Sequence, residues 1–187
     1  MSQLKIAIIL GSTRPNRVGG IVADWVSDMA GKRSDASFEL IDLQDVGLPF
    51  LDEGLPPGAG QYANQHTRDW AARIASFDAF VIVTPEYNHS VPAVLKNALD
   101  FVYAEWNNKA AGIVSYGAAS GIRAAEHLRL ILAELQVATV RAQLTLDSYR
   151  DFENFYNFKP TAQHADAVNT MFDQVISWGT ALKSVRD

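Results

Sequence analysis

The stretch LKIAIILGSTRPNR, residues 4–17, decides the architecture: a nearly unbroken apolar run ends in a turn rich in hydroxyl and guanidinium groups. Continuous apolar character with β-branched residues, as at Ile6, Ile8 and Ile9, belongs to a parallel strand covered on both faces. Residues 79–84 (AFVIVT) and 110–116 (AAGIVSY) repeat that pattern, and residues 136–142 (QVATVRA) form a further β-branched-rich run. Residues 38–43 (FELIDL) alternate instead, which suits a more exposed strand near an edge. Between these runs, apolar residues recur with helical period. They are Val18, Ile21, Val22, Trp25 and Met29; Trp70, Ile74 and Phe77; Val91, Val94, Leu95, Ala98 and Val102. The same spacing returns from Ile122 to Leu135 and from Ala165 to Leu182.

Five strands alternating with five helices predict right-handed crossovers and an open, doubly wound parallel sheet with helices on both faces. Ligands of such sheets bind at the carboxyl ends of the strands, where strand order reverses. The loops after the first, third and fourth strands are therefore the places for chemistry. Residues 47–60, with several prolines, read as a long surface connection. Residues 145–160 concentrate Tyr149, Phe152, Phe155, Tyr156 and Phe158; they read first as a cover for the core, with a subunit contact or a lid as alternatives.

At 187 residues the chain suits one domain spanning 1–187, able to bury roughly 70% of its unfolded surface. The absence of cysteine excludes disulfides and thiolate chemistry, so redox work requires a bound cofactor or a metal held by N and O ligands. A net charge of -5 disfavours nucleic acid as a partner. No run of apolar residues is long enough to span a membrane and the start lacks a leader pattern, so the expected location is the cytoplasm, with no membrane partner. His66, His89, His127 and His164 are scattered without metal spacing, and G-x-S-x-G is missing, so we expect no metal site and nominate no acid-base side chain.

The first loop, GSTRPNR, offers backbone amides at a helix start, hydroxyls at Ser12 and Thr13, and guanidinium groups at Arg14 and Arg17, a donor set for an anion. The plainer alternative is an ordinary capped turn with solvated arginines. Neither G-x-G-x-x-G nor a P-loop ending is present, which favours a compact phosphate monoester over a pyrophosphate. The second loop, TPEYNHSVPAVLKN, is stiffened by Pro85 and carries the aromatic Tyr87, with Glu86 and Asn88 as polar contacts; Ser90 is expected to cap the next helix, with Pro92 in its first turn. The third, SYGAASGIRAAEH, has small residues that admit a planar ring edge, and Ser120 or Gly121 starts its helix. Taken alone, each of these two loops is equally well read as a structural turn. Their convergence on one sheet edge favours a site.

GSTRPNR, TPEYNHSVPAVLKNALDF and KAAGIVSYGAASGIRAAEHLR, in that order, make the chain resemble the NAD(P)H-dependent FMN reductase family, with its chromate reductase, quinone reductase and azoreductase relatives. The resemblance implies a flavodoxin-like sheet of order 2-1-3-4-5. It implies that Gly11, Ser12, Arg14, Asn16 and Arg17 hold the FMN phosphate, and that Pro85, Glu86, Tyr87 and Asn88 line the isoalloxazine. Ser115, Tyr116, Gly117, Ser120 and Gly121 then approach the ring's polar edge. It further implies ping-pong transfer from NADPH or NADH through FMN to a small acceptor, in a homodimer or homotetramer with the flavin near the subunit boundary. The rival readings are a flavodoxin-like electron carrier, a flavin-dependent redox sensor, and a dehydrogenase whose Asp42 binds a ribose; the last lacks its glycine fingerprint.

Overall fold

Apolar runs bounded by turn residues become the central strands of a five-stranded parallel sheet in the computed structural model, which describes residues 3–186. In chain order the elements begin with β1 (Leu4–Leu10), α1 (Gly19–Ala30), β2 (Ala36–Asp42) and a single-turn α2 (Leu43–Val46). There follow α3 (Gln65–Ala75), β3 (Ala79–Pro85), α4 (Ala93–Asp100), β4 (Lys109–Gly117), α5 (Ile122–Glu134) and β5 (Val137–Asp147). A short antiparallel hairpin, β6 (Phe152–Glu153) with β7 (Asn157–Phe158), precedes α6 (Ala162–Arg186).

The sheet order β2-β1-β3-β4-β5, all parallel, is the flavodoxin-like order read from the sequence. Alternation along each central strand splits the core. Ile6, Ile8, Val81, Val83 and Val114 face Val22, Val26, Phe172 and Val175 of α1 and α6. Ile9, Phe80 and Ile82 face Trp70, Ile74, Leu99 and Leu128 of α3, α4 and α5. Strand order reverses between β1 and β3, so the crevice of the fold opens between their carboxyl-end loops. Among the described residues no helix is long and apolar enough to cross a membrane.

Several boundaries differ from the sequence reading. Strand β2 runs from Ala36 to Asp42, because the Asp42 side chain accepts the Gln44 amide (2.9 Å) and turns the chain into α2. Strand β5 continues to Asp147, past the expected end at Ala142. It does so through a bulge: pairing jumps from Ala111↔Thr139 to Ile113↔Gln143. Arg129 donates to the Val140 carbonyl (2.9 Å) and Gln174 accepts the Ala142 amide (2.8 Å), satisfying backbone groups freed by the bulge. The aromatic segment divides. Phe152 is buried and Phe158 packs on the core, whereas Tyr149, Phe155 and Tyr156 are exposed. Alternation within the hairpin strands points only part of the segment inward. The long connection at 47–60 is irregular apart from a tight turn at Pro57–Ala59. It is held by Asn97, which donates to the Pro49 carbonyl (2.7 Å) and accepts the Leu51 amide (3.0 Å).

Candidate functional site

The first loop leaves β1 pressed against its neighbours. Gly11 N–H donates to the Val83 carbonyl (2.9 Å), and a Cβ at Gly11 would stand 3.0 Å from Leu95 Cδ2. Ser12 is fully buried, with its Oγ 2.9 Å from the Tyr87 hydroxyl. Arg14 donates from Nε to that same hydroxyl (3.2 Å) and from its amide to Ser12 Oγ (3.4 Å). Arg17 bonds the Ser12 carbonyl and the Asp42 carboxylate, so it braces the loop from behind. Asn16 stands exposed with left-handed backbone, φ 55°. Helix α1 follows with Val18 at its cap, no side-chain capping bond and no acidic residue in its first turn. The positive end of its dipole is thus free of local neutralisation.

The second loop closes as a tight turn in which Tyr87 N–H donates to the Ser90 carbonyl (2.9 Å) and Ser90 N–H returns the bond (3.2 Å). Asn88 and His89 occupy its tip with φ 49° and 76°, the left-handed pair of a primed turn. Both are exposed, while Pro85 is buried at the end of β3. Ser90 does not cap α4. Its hydroxyl pairs with His127 Nδ1 (3.0 Å), and Pro92, which offers no side-chain acceptor, holds the cap position ahead of Ala93.

Glu86 joins the second loop to the third. Its amide donates to the Tyr116 carbonyl (3.0 Å), and its carboxylate pairs with the Arg123 guanidinium and accepts the Arg123 amide (3.2 Å). The Glu86 side chain is only 5% exposed, so this charge is neutralised at the start of α5 rather than left to solvent. A Cβ at Gly117 would lie 3.3 Å from Glu86 Cβ. Ser115 Oγ donates to the Ser120 carbonyl (2.9 Å), closing the turn, with Ser120 at φ 56° and Gly121 at φ 68°. Gly121 is required there: a Cβ would sit 2.6 Å from the Tyr116 amide nitrogen.

The structure thus draws Ser12, Arg14 and Tyr87 into one hydrogen-bonded group and places Glu86 beside Gly117. Next to them opens a cleft of about 560 Å³ lined mainly by apolar groups, among them Leu48, Pro49, Phe50, Pro92 and Val94, together with Arg14 and Tyr87. Arg123 and the residues at 48–50 were not singled out from the sequence. The Arg in SGIR and the Asn97 that holds the 49–51 segment were the available signals. A larger hollow of about 610 Å³, bounded by Arg129, Arg141 and Thr170, contains none of the candidate residues. Among the described residues no group of three or more His, Asp or Glu could hold a metal ion.

Tyr116 lies beneath the first loop. It is 5% exposed, and its hydroxyl makes no hydrogen bond of good geometry. Burial pushes its ionisation well above the ordinary phenol range and Tyr87 adds to this, while Arg14, Arg17 and Ser12 pull the other way. Hydroxyls at Ser12 and Tyr116, the Arg14 guanidinium and the start of α1 fit the terminal phosphate of a flavin mononucleotide.

Residues 4–151 match the family described as NADPH-dependent FMN reductase. The chain belongs to that family. Its relatives include an NAD(P)H-dependent FMN reductase of Schizosaccharomyces pombe, 42% identical over 76% of this chain and 73% of that protein. A quinone reductase of Escherichia coli strain K12 is 34% identical over 71% of each. The flavoenzyme FerB of Paracoccus denitrificans, an NAD(P)H:(acceptor) oxidoreductase, has the same fold, with a TM-score of 0.74 at 21% identity over 95% of this chain and 98% of that one. As an FMN reductase family member the chain is a flavin-dependent oxidoreductase that uses FMN and a reduced nicotinamide nucleotide.

Proposed function

We propose that this FMN reductase, as a single cytoplasmic domain assembled into a homodimer or homotetramer, passes electrons from NADPH or NADH through FMN to a small oxidised acceptor. Quinones, free flavins, azo compounds and metal oxyanions are the acceptor classes the reading covers. The observation that carries it is the junction of Ser12, Arg14 and Tyr87 beside an apolar cleft, which sets a phosphate grip next to a wall for a flat ring. Ser12, Arg14 and Asn16 hold the phosphate end, with Gly11 and Arg17 shaping the loop. Pro85, Glu86, Tyr87 and Asn88 support the ring, and Ser115, Gly117, Ser120 and Gly121 meet its polar edge.

FMN, when bound, would supply the two-electron exchange between nicotinamide and acceptor. The protein binds and orients. The cleft admits donor and acceptor in turn, which makes the exchange ping-pong. Phe50, which lines the cleft and is 85% exposed, gives it apolar surface suited to a second copy of the chain.

The test is the visible spectrum of the purified protein before and after NADPH is added without oxygen. A yellow protein that bleaches rapidly is expected, whereas a carrier of electrons between proteins stays yellow. Failure to take up FMN supplied in excess would overturn the reading. Arg14→Ala is expected to weaken FMN binding about tenfold or more, the loss of a charge-assisted bond, with less than about 0.5 kcal/mol change in folding stability. Fluorescence titration and urea denaturation measure the two.

A further inference from the structure

We infer that Tyr116 is a ligand of the phosphate end of FMN, donating its buried hydroxyl to a phosphate oxygen from below the first loop. The inference deepens the proposed FMN site and rests on it. Alternation along β4 sends Ser115 and Tyr116 to opposite faces of the sheet. Ser115 closes the turn before α5, while Tyr116 packs among Leu10, Val22 and Phe152 on the α1 side. A Cβ added at Gly19 would overlap the Tyr116 hydroxyl, so the phenol reaches the first turn of α1 through the gap that glycine leaves.

A buried hydroxyl without a partner is costly, on the order of a lost hydrogen bond, and folded proteins seldom leave one unpaired. The groups around this one are Ser12, Tyr87, Arg14 and Arg17, of which Ser12 and Arg14 belong to the proposed phosphate grip. Ser12 and Tyr87 share one hydrogen bond, and Ser12, although near the Tyr116 hydroxyl, makes no well-oriented bond to it. A dianionic ester at the start of α1 gives the Tyr116 hydroxyl the acceptor it lacks, and the desolvated phenol then makes a short, charge-assisted bond. The bond reads the phosphate and not the ring, so Tyr116 contributes to the choice of FMN over riboflavin.

Tyr116→Phe removes one oxygen and preserves the packing. It is expected to lower FMN affinity about tenfold, to leave riboflavin affinity unchanged, and to leave the unfolding midpoint of the flavin-free protein equal or higher. Gly19→Ala, whose added Cβ would crowd both the phenol and Leu10, is expected to reduce FMN affinity at some cost in stability. A parent protein that prefers FMN to riboflavin, alongside a Tyr116→Phe variant that keeps the whole preference, would overturn the assignment and spare the site. Equal weakening of both flavins would also overturn it, by marking the residue as structural. A parent that binds neither flavin overturns the site and the assignment together.

Discussion

The two ends of the sheet are built on different principles. At the amino end, Asp78 gathers the Lys5 amide (3.0 Å), Lys183 and Arg186 (2.7 Å), while Arg186 also donates to the Asn108 carbonyl (2.6 Å). Lys109 is buried there, donating to the Ile74 carbonyl at the end of α3 (2.8 Å). Charges are matched and carbonyls are capped. At the carboxyl end, Asn16, Asn88, His89, Ser120, Asn154 and Phe155 all hold left-handed backbone, and the Tyr116 hydroxyl is unpaired; Asn108 and Gln136 are the corresponding strained residues at the other end. Left-handed backbone thus collects where the ligand is proposed to bind, and the opposite end supports the fold.

That contrast can be broken most forcefully at Asp78. Asp78→Ala deprives Arg186 and the Lys5 amide of a shared, mostly buried acceptor and is expected to cost about 3 kcal/mol in urea denaturation, with FMN affinity unchanged. Loss of affinity at undiminished stability would erase the division of labour. Gly121→Ala, at φ 68° with the Tyr116 amide in its path, is expected to cost about 2 kcal/mol and to weaken FMN binding as well. Stability loss without a binding effect would separate the α5 turn from the site.

The most gradual effect is a pH dependence from Lys109, whose ionisation burial lowers from 10.5 to about 8. Between those values the unfolded chain holds a proton the folded one has released, so Lys109 makes stability rise with pH across that window by about 1 kcal/mol per unit. Below pH 8 the full burial penalty applies. Lys109→Met is expected to flatten that part of the curve, as measured by chemical denaturation at pH 7.5 to 10.5; an unchanged slope would remove Lys109 as its source.

The central strands were legible because burial on both faces leaves an unbroken apolar run, as in residues 79–84. The loops were legible from their place after those runs. Pairings such as Glu86 with Arg123 join residues 37 apart and leave no periodic trace. The turn from Glu153 to Tyr156 escaped notice because its left-handed positions hold Asn154 and Phe155, and a phenylalanine at φ 64° is not a turn signal. Strand alternation sends Ser115 and Tyr116 to opposite faces of the sheet, whereas the family resemblance implies both at the ring's polar edge. The bulge in β5 concealed its last residues because it interrupts that alternation.

The same bulge protects the molecule in crowded solution. Strand β5 is an outer edge of the sheet, and a straight, regularly spaced edge would be a template onto which a foreign strand could zip. With the hydrogen-bonding rhythm broken at Val140–Ala142 and nearby backbone groups claimed by Arg129 and Gln174, runaway growth of the sheet from chain to chain has no regular row to follow.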